Sequence, residues 1–225
     1  MAISGSEAAK RLEDVRTQIR KSASRFDSPD RTVELVAVSK SFPAEAIRVF
    51  LEAGQRRFGE NRVQEAKQKW PELRRDFPDI QLHLIGPLQS NKVRDAVGLF
   101  DVIESVDREK IARALAGEMV RAGKQLGVFI QVNIGEEAQK AGVSPGDTLS
   151  LVRLCRDVLA MDVRGLMCIP PQGAAPGPYF ARLAFLAREA GLDGLSMGMS
   201  GDYPVGIEMG ATHVRVGSAL FGERG

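Results

Sequence analysis

The chain has 225 residues, and its 31 basic and 29 acidic residues leave a formal net charge of only +2. Because the basic residues are spread among acidic ones, with no basic tail or aromatic-interleaved patch, we exclude nucleic acid as a partner. No apolar run is long enough to span a membrane, and the N-terminus lacks the pattern of a signal peptide, so we expect a cytoplasmic protein without membrane contact. The two cysteines, Cys155 and Cys168, lack metal-ligand spacing and are predicted to be buried thiols.

The predicted elements begin with an amphipathic helix. Its apolar face carries Leu12, Val15 and Ile19, and Ser4 with Glu7 forms a pattern typical of a capping box. Apolar, β-branched segments then recur eight times along the chain. The predicted strands cover residues 33–39, 57–60, 81–85, 102–105, 128–133, 163–169, 194–197 and 212–216.

Helices are predicted between the strands, where apolar residues recur at helical spacing with charges opposite. They cover residues 44–53, 63–74, 108–122, 148–160 and 179–190, and residues 170–179 are predicted to form a long loop. Several helix-like stretches end at a glycine a few residues before a strand, namely at Gly54, Gly123, Gly191 and Gly210. Glycine at such a position supplies the left-handed residue that ends a helix.

The alternation of strands and helices predicts a parallel sheet with right-handed crossovers. Eight strand–helix units favour a closed α/β barrel of the (β/α)8 TIM type over a doubly wound sheet, and the chain length suits one such barrel. We therefore predict a single domain over residues 1–225. We expect the extra N-terminal helix to cover the flank or the bottom of the barrel.

Glycine and hydroxyl residues follow the seventh and eighth predicted strands, where barrels of this type often bind phosphate groups. Ser200 and Gly201 lie in the first of these loops, and Gly217 and Ser218 lie in the second. Glycines let the backbone approach a phosphate, and hydroxyls and N–H groups at a helix start can donate to its oxygens. The same glycines also suit simple turns, so the pattern alone leaves both interpretations open.

Three further residues stand where a ligand could meet them. Lys40 ends the run ELVAVSK at the first strand, where a lysine either reaches solvent or attacks an aldehyde to form a Schiff base. Arg215 lies inside the eighth strand, where its charge needs a partner such as a cofactor ring, Glu208 or Glu60. Asn61 follows the second strand and either donates to a cofactor oxygen or caps the next helix.

Segments spread from residue 35 to 224 resemble one known family, the pyridoxal phosphate homeostasis proteins. The segments are LVAVSK, FGENRVQEA, LHLIGPLQSNK, VNIGEEAQKAGV, GLMCIPP, LSMGMSGD and GATHVRVGSALFGER. MGMSGD and RVGSALFG are the most specific of them. The chain departs from the family pattern at Leu82, where an aromatic residue usually precedes His83, a residue that we expect to be hydrogen-bonded within the barrel.

The resemblance implies a barrel similar to the N-terminal domain of alanine racemase, with pyridoxal 5′-phosphate (PLP) bound to Lys40 as an internal aldimine. It implies that Arg215 lies near the pyridine nitrogen and Asn61 beside the ring hydroxyl. The residues that it places around the phosphate are Ser200, Gly201, Gly217 and Ser218. The resemblance also implies a function, because proteins of this family look like carriers that hold and release PLP and keep vitamin B6 and amino-acid pools in balance. They have no established catalytic activity. We accordingly expect a monomer that serves PLP-dependent apo-enzymes, with no catalytic residues.

Two other functions compete with this expectation. A PLP-dependent amino-acid racemase needs a base on each face of the substrate carbanion, and Lys40 would supply one of them. Related racemases take the opposing tyrosine from a second, β-rich domain, which we expect this chain to lack; its tyrosines are Tyr179 and Tyr203. Tyr203 adjoins the predicted phosphate loop, although packing is its expected role. A barrel for some other phosphorylated ligand would keep the phosphate loops but have no use for a Schiff-base lysine.

Overall fold

The computed structural model describes residues 3–25 and 32–222. In these residues one helix precedes eight strands, and each strand is followed by a helix. The strands are β1 (Glu34–Val38), β2 (Arg57–Glu60), β3 (Gln81–Leu84), β4 (Val102–Val106), β5 (Gly127–Val132), β6 (Asp162–Cys168), β7 (Gly194–Met199) and β8 (His213–Val216). The helices are α1 (Gly5–Ala23), α2 (Ala44–Glu52), α3 (Val63–Asp76), α4 (Val93–Leu99), α5 (Glu109–Ala122), α6 (Thr148–Arg153), α7 (Gly177–Glu189), α8 (Tyr203–Glu208) and α9 (Ser218–Phe221).

The strands form a closed parallel barrel in chain order, which confirms the predicted (β/α)8 fold. The last strand closes onto the first, with Val36 beside Arg215 in the register of β1 and β8. The main core lies between the strands and the helices, where aromatic side chains such as Phe50, Phe58 and Trp70 are fully buried. Because all strands are parallel, their carboxyl ends and the loops that follow them share one face of the barrel.

The eight predicted strands all overlap strands of the structure, and the four glycines predicted to end helices all have positive φ. The short helix α4 escaped prediction because about two turns show too little helical periodicity, and of the short helix α8 only the end at Gly210 was predicted. The predicted helix over residues 148–160 is interrupted, since α6 passes into a π-helical turn, Leu154–Val158. The predicted loop over residues 170–179 ends earlier, because α7 begins at Gly177 with Pro178 in its first turn, where proline is tolerated.

Helix α1 covers the flank of the barrel beside β1 and β8. The Ser4 hydroxyl accepts the N–H of Glu7 at 3.2 Å, which caps the helix as predicted. The predicted apolar face is buried, and α1 packs against α2, α8 and α9. Across the described residues, no helix combines the length and the apolarity needed to cross a membrane. Both cysteines are buried thiols, as expected.

Candidate functional site

A cavity of about 540 Å³ opens at the face of the barrel formed by the carboxyl ends of the strands. Six of the seven residues that the sequence predicts for a cofactor site line this cavity: Lys40, Asn61, Ser200, Arg215, Gly217 and Ser218. Gly201 does not line it but follows Ser200 directly and is exposed. Apolar walls are contributed by Val38, Phe42, Ile85, Ile169 and Met199. The fold therefore brings residues from six strand ends into one space.

Lys40 lies in a tight turn two residues beyond the end of β1. The N–H of Phe42 donates to the carbonyl of Ser39 at 3.1 Å, and Ser41 between them has a φ of +67°. Lys40 itself is partly buried and lines the cavity. The turn thus brings the Lys40 side chain to the mouth of the barrel rather than along a continuing strand.

Asn61 follows β2 and is also partly buried at the cavity wall. Helix α3 begins after Arg62, and no side chain caps it, so the helix-capping interpretation of Asn61 is wrong. The backbone of the next loop passes very close to Asn61 at Gly86. A Cβ atom at Gly86 would lie 2.3 Å from the Asn61 carbonyl oxygen, so only glycine permits this approach.

The loops after β7 and β8 meet at one end of the cavity. The Ser200 hydroxyl oxygen accepts the N–H of Gly217 at 3.1 Å, which joins the two loops and leaves the hydroxyl proton available to a ligand. The turn after β7 is closed by the Met199 N–H, which donates to Asp202 at 2.6 Å. Helix α9 starts beside Ser200, and its first N–H groups have no acceptor within the helix. This end of the cavity is therefore rich in hydrogen-bond donors.

Arg215 projects from β8 and is almost fully buried at the base of the cavity. Its guanidinium donates to the Ser196 hydroxyl at 2.6 Å and to the Cys168 carbonyl at 2.8 Å. A Glu104 carboxylate oxygen lies 3.8 Å from the guanidinium. These contacts hold the guanidinium on one side and leave other N–H groups for the cavity.

The suggested pairing of Arg215 with Glu208 or Glu60 is wrong. Glu208 pairs with Arg25 at 3.1 Å on the surface, and Glu60 pairs with Lys69 at 2.9 Å. The acidic neighbour of Arg215 is instead a residue of β4, which comes close because the barrel is closed.

Glu104, which contacts Arg215 below the cavity, was not predicted from the sequence. It is fully buried, and it accepts hydrogen bonds from His83 at 2.6 Å and from Ser196 at 2.5 Å. Burial opposes its ionisation, but the hydrogen bond and charge of His83 and the charge of Arg215 lower the pKa of Glu104 to about 2. The available signal was a lone charge inside the apolar run VIESV, and His83 is a hydrogen-bonded barrel residue as expected.

The two tyrosines do not reach the cavity. Tyr203 is 7% exposed and packs in the core, and burial raises the pKa of its hydroxyl. Tyr179 is partly buried and packs against the same core. Within the part of the chain that the structure describes, the cavity walls contain no carboxylate, histidine, tyrosine or thiol, and no cluster of three metal-ligating side chains occurs.

Known proteins that resemble this chain cover it almost end to end. Residues 11–225 match the family described as "Alanine racemase, N-terminal domain". The "Pyridoxal phosphate homeostasis protein" of Vibrio cholerae is 41% identical over 95% of this chain and 94% of its own length. The protein of the same name from Pseudomonas aeruginosa is 43% identical over 97% of this chain and 96% of its own length.

A solved structure gives the same result. PipY from Synechococcus elongatus PCC7942, in a structure with PLP bound, is 40% identical and superposes with a TM-score of 0.84 over 96% of this chain and 100% of that chain. The similarity to PipY in fold and in sequence therefore extends over the whole barrel. The chain belongs to the family of the pyridoxal phosphate homeostasis proteins, within the wider family of the alanine racemase N-terminal domain.

Proposed function

We propose that this protein binds PLP covalently at the barrel mouth and acts as a carrier that keeps vitamin B6 and amino-acid pools in balance, without catalysing a reaction. The observation that carries the proposal is the single cavity lined by Lys40, Arg215 and the loops of Ser200 and Ser218. The shared name of the full-length relatives and the PLP bound by PipY support it.

The groups around the cavity match the groups of PLP. That molecule carries an aldehyde, a phosphate dianion and an aromatic ring with a basic nitrogen. The chain offers an amine, several hydrogen-bond donors and a guanidinium, with Val38, Ile85 and Ile169 as apolar surface for a ring. The cavity volume of about 540 Å³ also lies in the range of small-molecule sites.

In this proposal Lys40 is the point of attachment. Its ε-amine forms a carbon–nitrogen bond with the aldehyde carbon, and the aldehyde oxygen leaves as water. The turn after β1 brings Lys40 to the cavity, where the apolar side chains of Val38 and Phe42 line the wall as well. Addition of water would reverse this step and restore both the aldehyde and the Lys40 amine, so that intact PLP would become available to a recipient.

The phosphate contacts belong to the two joined loops. Ser200 and Ser218 offer hydroxyl protons, and the start of α9 offers backbone N–H groups. Gly201 and Gly217 let the backbone come close to the phosphate oxygens. Asn61 on the opposite wall is the proposed partner of the ring hydroxyl.

Arg215 would weaken the electron withdrawal of bound PLP, which by itself leaves both a carrier and a racemase open. PLP withdraws electrons strongly when its ring nitrogen is protonated, usually opposite a carboxylate. A guanidinium has no acceptor and stays protonated, so it can only donate to an unprotonated nitrogen. Glu104 and Ser196 hold the guanidinium in this role from behind. A ring bound in this way is a weak electron sink.

A racemase needs a second base, and none occurs among the described residues that line the cavity. Its candidate, Tyr203, is packed in the core and its pKa is raised by burial, so it does not face the cavity as a ready base. The other competing function, binding of a different phosphorylated ligand, leaves Lys40 at the mouth unexplained. Delivery to PLP-dependent apo-enzymes, a monomeric state and a cytoplasmic location remain predictions.

The absence of catalysis can be tested by exchange of the α-proton of amino acids. We expect the PLP-loaded protein to exchange the α-proton of alanine, serine or glutamate in deuterated water no faster than free PLP does. Nuclear magnetic resonance measures the exchange, and chiral chromatography measures inversion. Rapid exchange with inversion that Tyr203→Phe abolishes would show a racemase and contradict the carrier function.

A further inference from the structure

The turn that carries Lys40 lies on a cluster of three charged side chains, Glu60, Glu65 and Lys69, which we call the loop clamp. Glu60 ends β2, and the other two lie one turn apart on α3. The Glu60 side chain is fully buried, that of Lys69 is 8% exposed and that of Glu65 is 29% exposed. None of the three lines the ligand cavity, so their role concerns the turn rather than direct ligand contact.

Lys69 ties together the two ends of this turn. Its ammonium nitrogen lies 3.0 Å from the carbonyl oxygen of Ser39 and 3.0 Å from that of Phe42. For its remaining proton two carboxylate oxygens are in reach, that of Glu65 at 2.8 Å and that of Glu60 at 2.9 Å. Because an ammonium group has three protons, two of its three donors hold the backbone on either side of Lys40.

The two carboxylates hold the rest of the turn. Glu65 accepts the N–H of Ser41 at 2.5 Å, and Glu60 accepts the hydroxyl of Ser39 at 2.6 Å. Ser41 has a φ of +67°, which is unfavourable for a residue with a Cβ atom. Burial opposes ionisation of Glu65, but the hydrogen bonds from Lys69 and Ser41 lower the pKa of its carboxyl group. The left-handed turn therefore persists because surrounding contacts hold it.

Stability alone does not account for the loop clamp. Replacing a buried ion pair by apolar residues of similar volume is often neutral or stabilising, so such a pair is weak evidence for a role in stability. Here the buried ammonium donates to two backbone carbonyls, which flank Lys40 and Ser41. The feature that the cluster determines is therefore the path of the backbone at Lys40.

We infer that Lys69 is a positioning residue, which together with Glu65 fixes residues 39–42 so that the ε-amine of Lys40 enters the cavity in reacting geometry. This inference rests on the proposed function, in which Lys40 is the attachment point of PLP. Lys69 and Glu65 act through the turn and do not touch the ligand themselves.

Two ligands separate positioning of Lys40 from a general effect on the fold. PLP uses Lys40, whereas pyridoxine 5′-phosphate has a hydroxymethyl group in place of the aldehyde and cannot form the covalent bond. We expect Lys69→Met to weaken PLP binding about tenfold or more, while binding of pyridoxine 5′-phosphate stays within about threefold of the wild type. The matched control is Lys67→Met, which removes a half-exposed lysine paired with Asp95 at 2.9 Å.

A second readout needs no ligand. In the apo protein, the backbone amides of Ser41 and Phe42 should exchange with deuterium faster in Lys69→Met than in the wild type, while those of β5 stay unchanged. If Lys69→Met does not fold, Glu65→Ala decides, because it removes the acceptor of the Ser41 N–H from a partly exposed position. Glu65→Gln keeps that acceptor and should restore PLP affinity and amide protection.

Equal loss of affinity for both ligands, or unchanged PLP affinity and unchanged exchange at Ser41 in Lys69→Met and Glu65→Ala, would overturn the inference. Failure of the proposed function looks different. In that case the wild type itself would not acquire a reducible bond between Lys40 and PLP. If PLP labels Lys40 in the wild type, but Lys69→Met and Glu65→Ala keep the wild-type PLP affinity and amide exchange, only the positioning role of Lys69 is wrong.

Discussion

Arg215 shows how a charge is accommodated inside a parallel barrel. A lone guanidinium at this depth would be costly, but Ser196 and the Cys168 carbonyl accept its protons and Glu104 balances its charge. Removing one partner of such a buried pair usually costs more than the pair contributes. Glu104 therefore supports the site through its contact with Arg215, although it does not line the cavity itself.

Ser200 is the side chain at which phosphate recognition can be tested separately from the covalent bond. A charge-assisted hydrogen bond contributes about 1.5–3 kcal/mol, so Ser200→Ala should weaken PLP binding by about tenfold or more. Pyridoxal, which lacks the phosphate, should bind poorly to the wild type and lose little further affinity in the variant. Fluorescence titration measures both ligands, with the exposed Ser150→Ala on α6 as control. Equal retention of pyridoxal and PLP by the wild type would refute the placement of the phosphate.

At the scale of elements, the site depends on loops that approach each other closely after neighbouring strands. The loops after β7 and β8 are joined through Ser200 and Gly217. The loops after β2 and β3 pass each other at Asn61 and Gly86. At Gly86 the missing side chain lets two backbones meet, whereas Ser200 reaches the neighbouring loop through its hydroxyl group. Both contacts bring ligand-contacting groups from different strands within reach of one molecule.

Gly86→Ala tests whether the approach of these loops positions Asn61. The added Cβ atom would lie 2.3 Å from the Asn61 carbonyl oxygen, so backbone atoms must move apart. We expect a free energy of unfolding lower by about 1–3 kcal/mol and weaker binding of PLP. Urea denaturation and ligand titration measure the two effects.

Gly117→Ala in the middle of α5 is the matched control, because its Cβ atom would meet open space. That exchange should raise the stability by about 0.5–1 kcal/mol, since alanine favours the helix interior over glycine. If Gly86→Ala behaved like this control, the argument for a close approach at Asn61 would be wrong.

For the whole molecule, closure of the barrel also brings the two histidines near each other on its inner side. Their ring centroids lie 6.2 Å apart, and His213 packs edge-on against Phe129 with 5.1 Å between ring centroids. Burial lowers the pKa of His213 from its ordinary 6.5 to about 4. The folded barrel thus keeps this histidine neutral where the unfolded chain would protonate it.

This difference predicts a pH dependence of stability. Between pH 6.5 and 4 the unfolded chain binds a proton at His213 that the folded chain does not, so stability is complete above pH 6.5 and falls as the pH falls toward 4. Between pH 7 and 5 the loss should reach up to about 2 kcal/mol. Urea denaturation at several pH values should show a flatter profile for His213→Gln. An unchanged slope in this variant would contradict the neutral state of His213 in the folded protein.

The sequence predicted the barrel and half of the residues that line the cavity, because both depend on local patterns. Apolar runs mark strands, and polar residues just after them fall on one face of a parallel barrel. Glu104 and Lys69 could not be assigned in this way, since their partners Arg215 and Ser39 are not their neighbours in the sequence and meet them only in the folded barrel. The domain limits 1–225 stay a prediction, and their outermost residues, with residues 26–31, lie outside the described part.

Borohydride reduction followed by peptide mass spectrometry can locate the proposed bond between Lys40 and PLP. Reduction converts the carbon–nitrogen double bond into a stable single bond, so the mass of the pyridoxyl group remains on the lysine that carried it. We expect this mass on the peptide that contains Lys40 and no label in Lys40→Met. Label on another lysine, such as Lys92 or Lys140, or the absence of label from a PLP-saturated protein, would contradict the account.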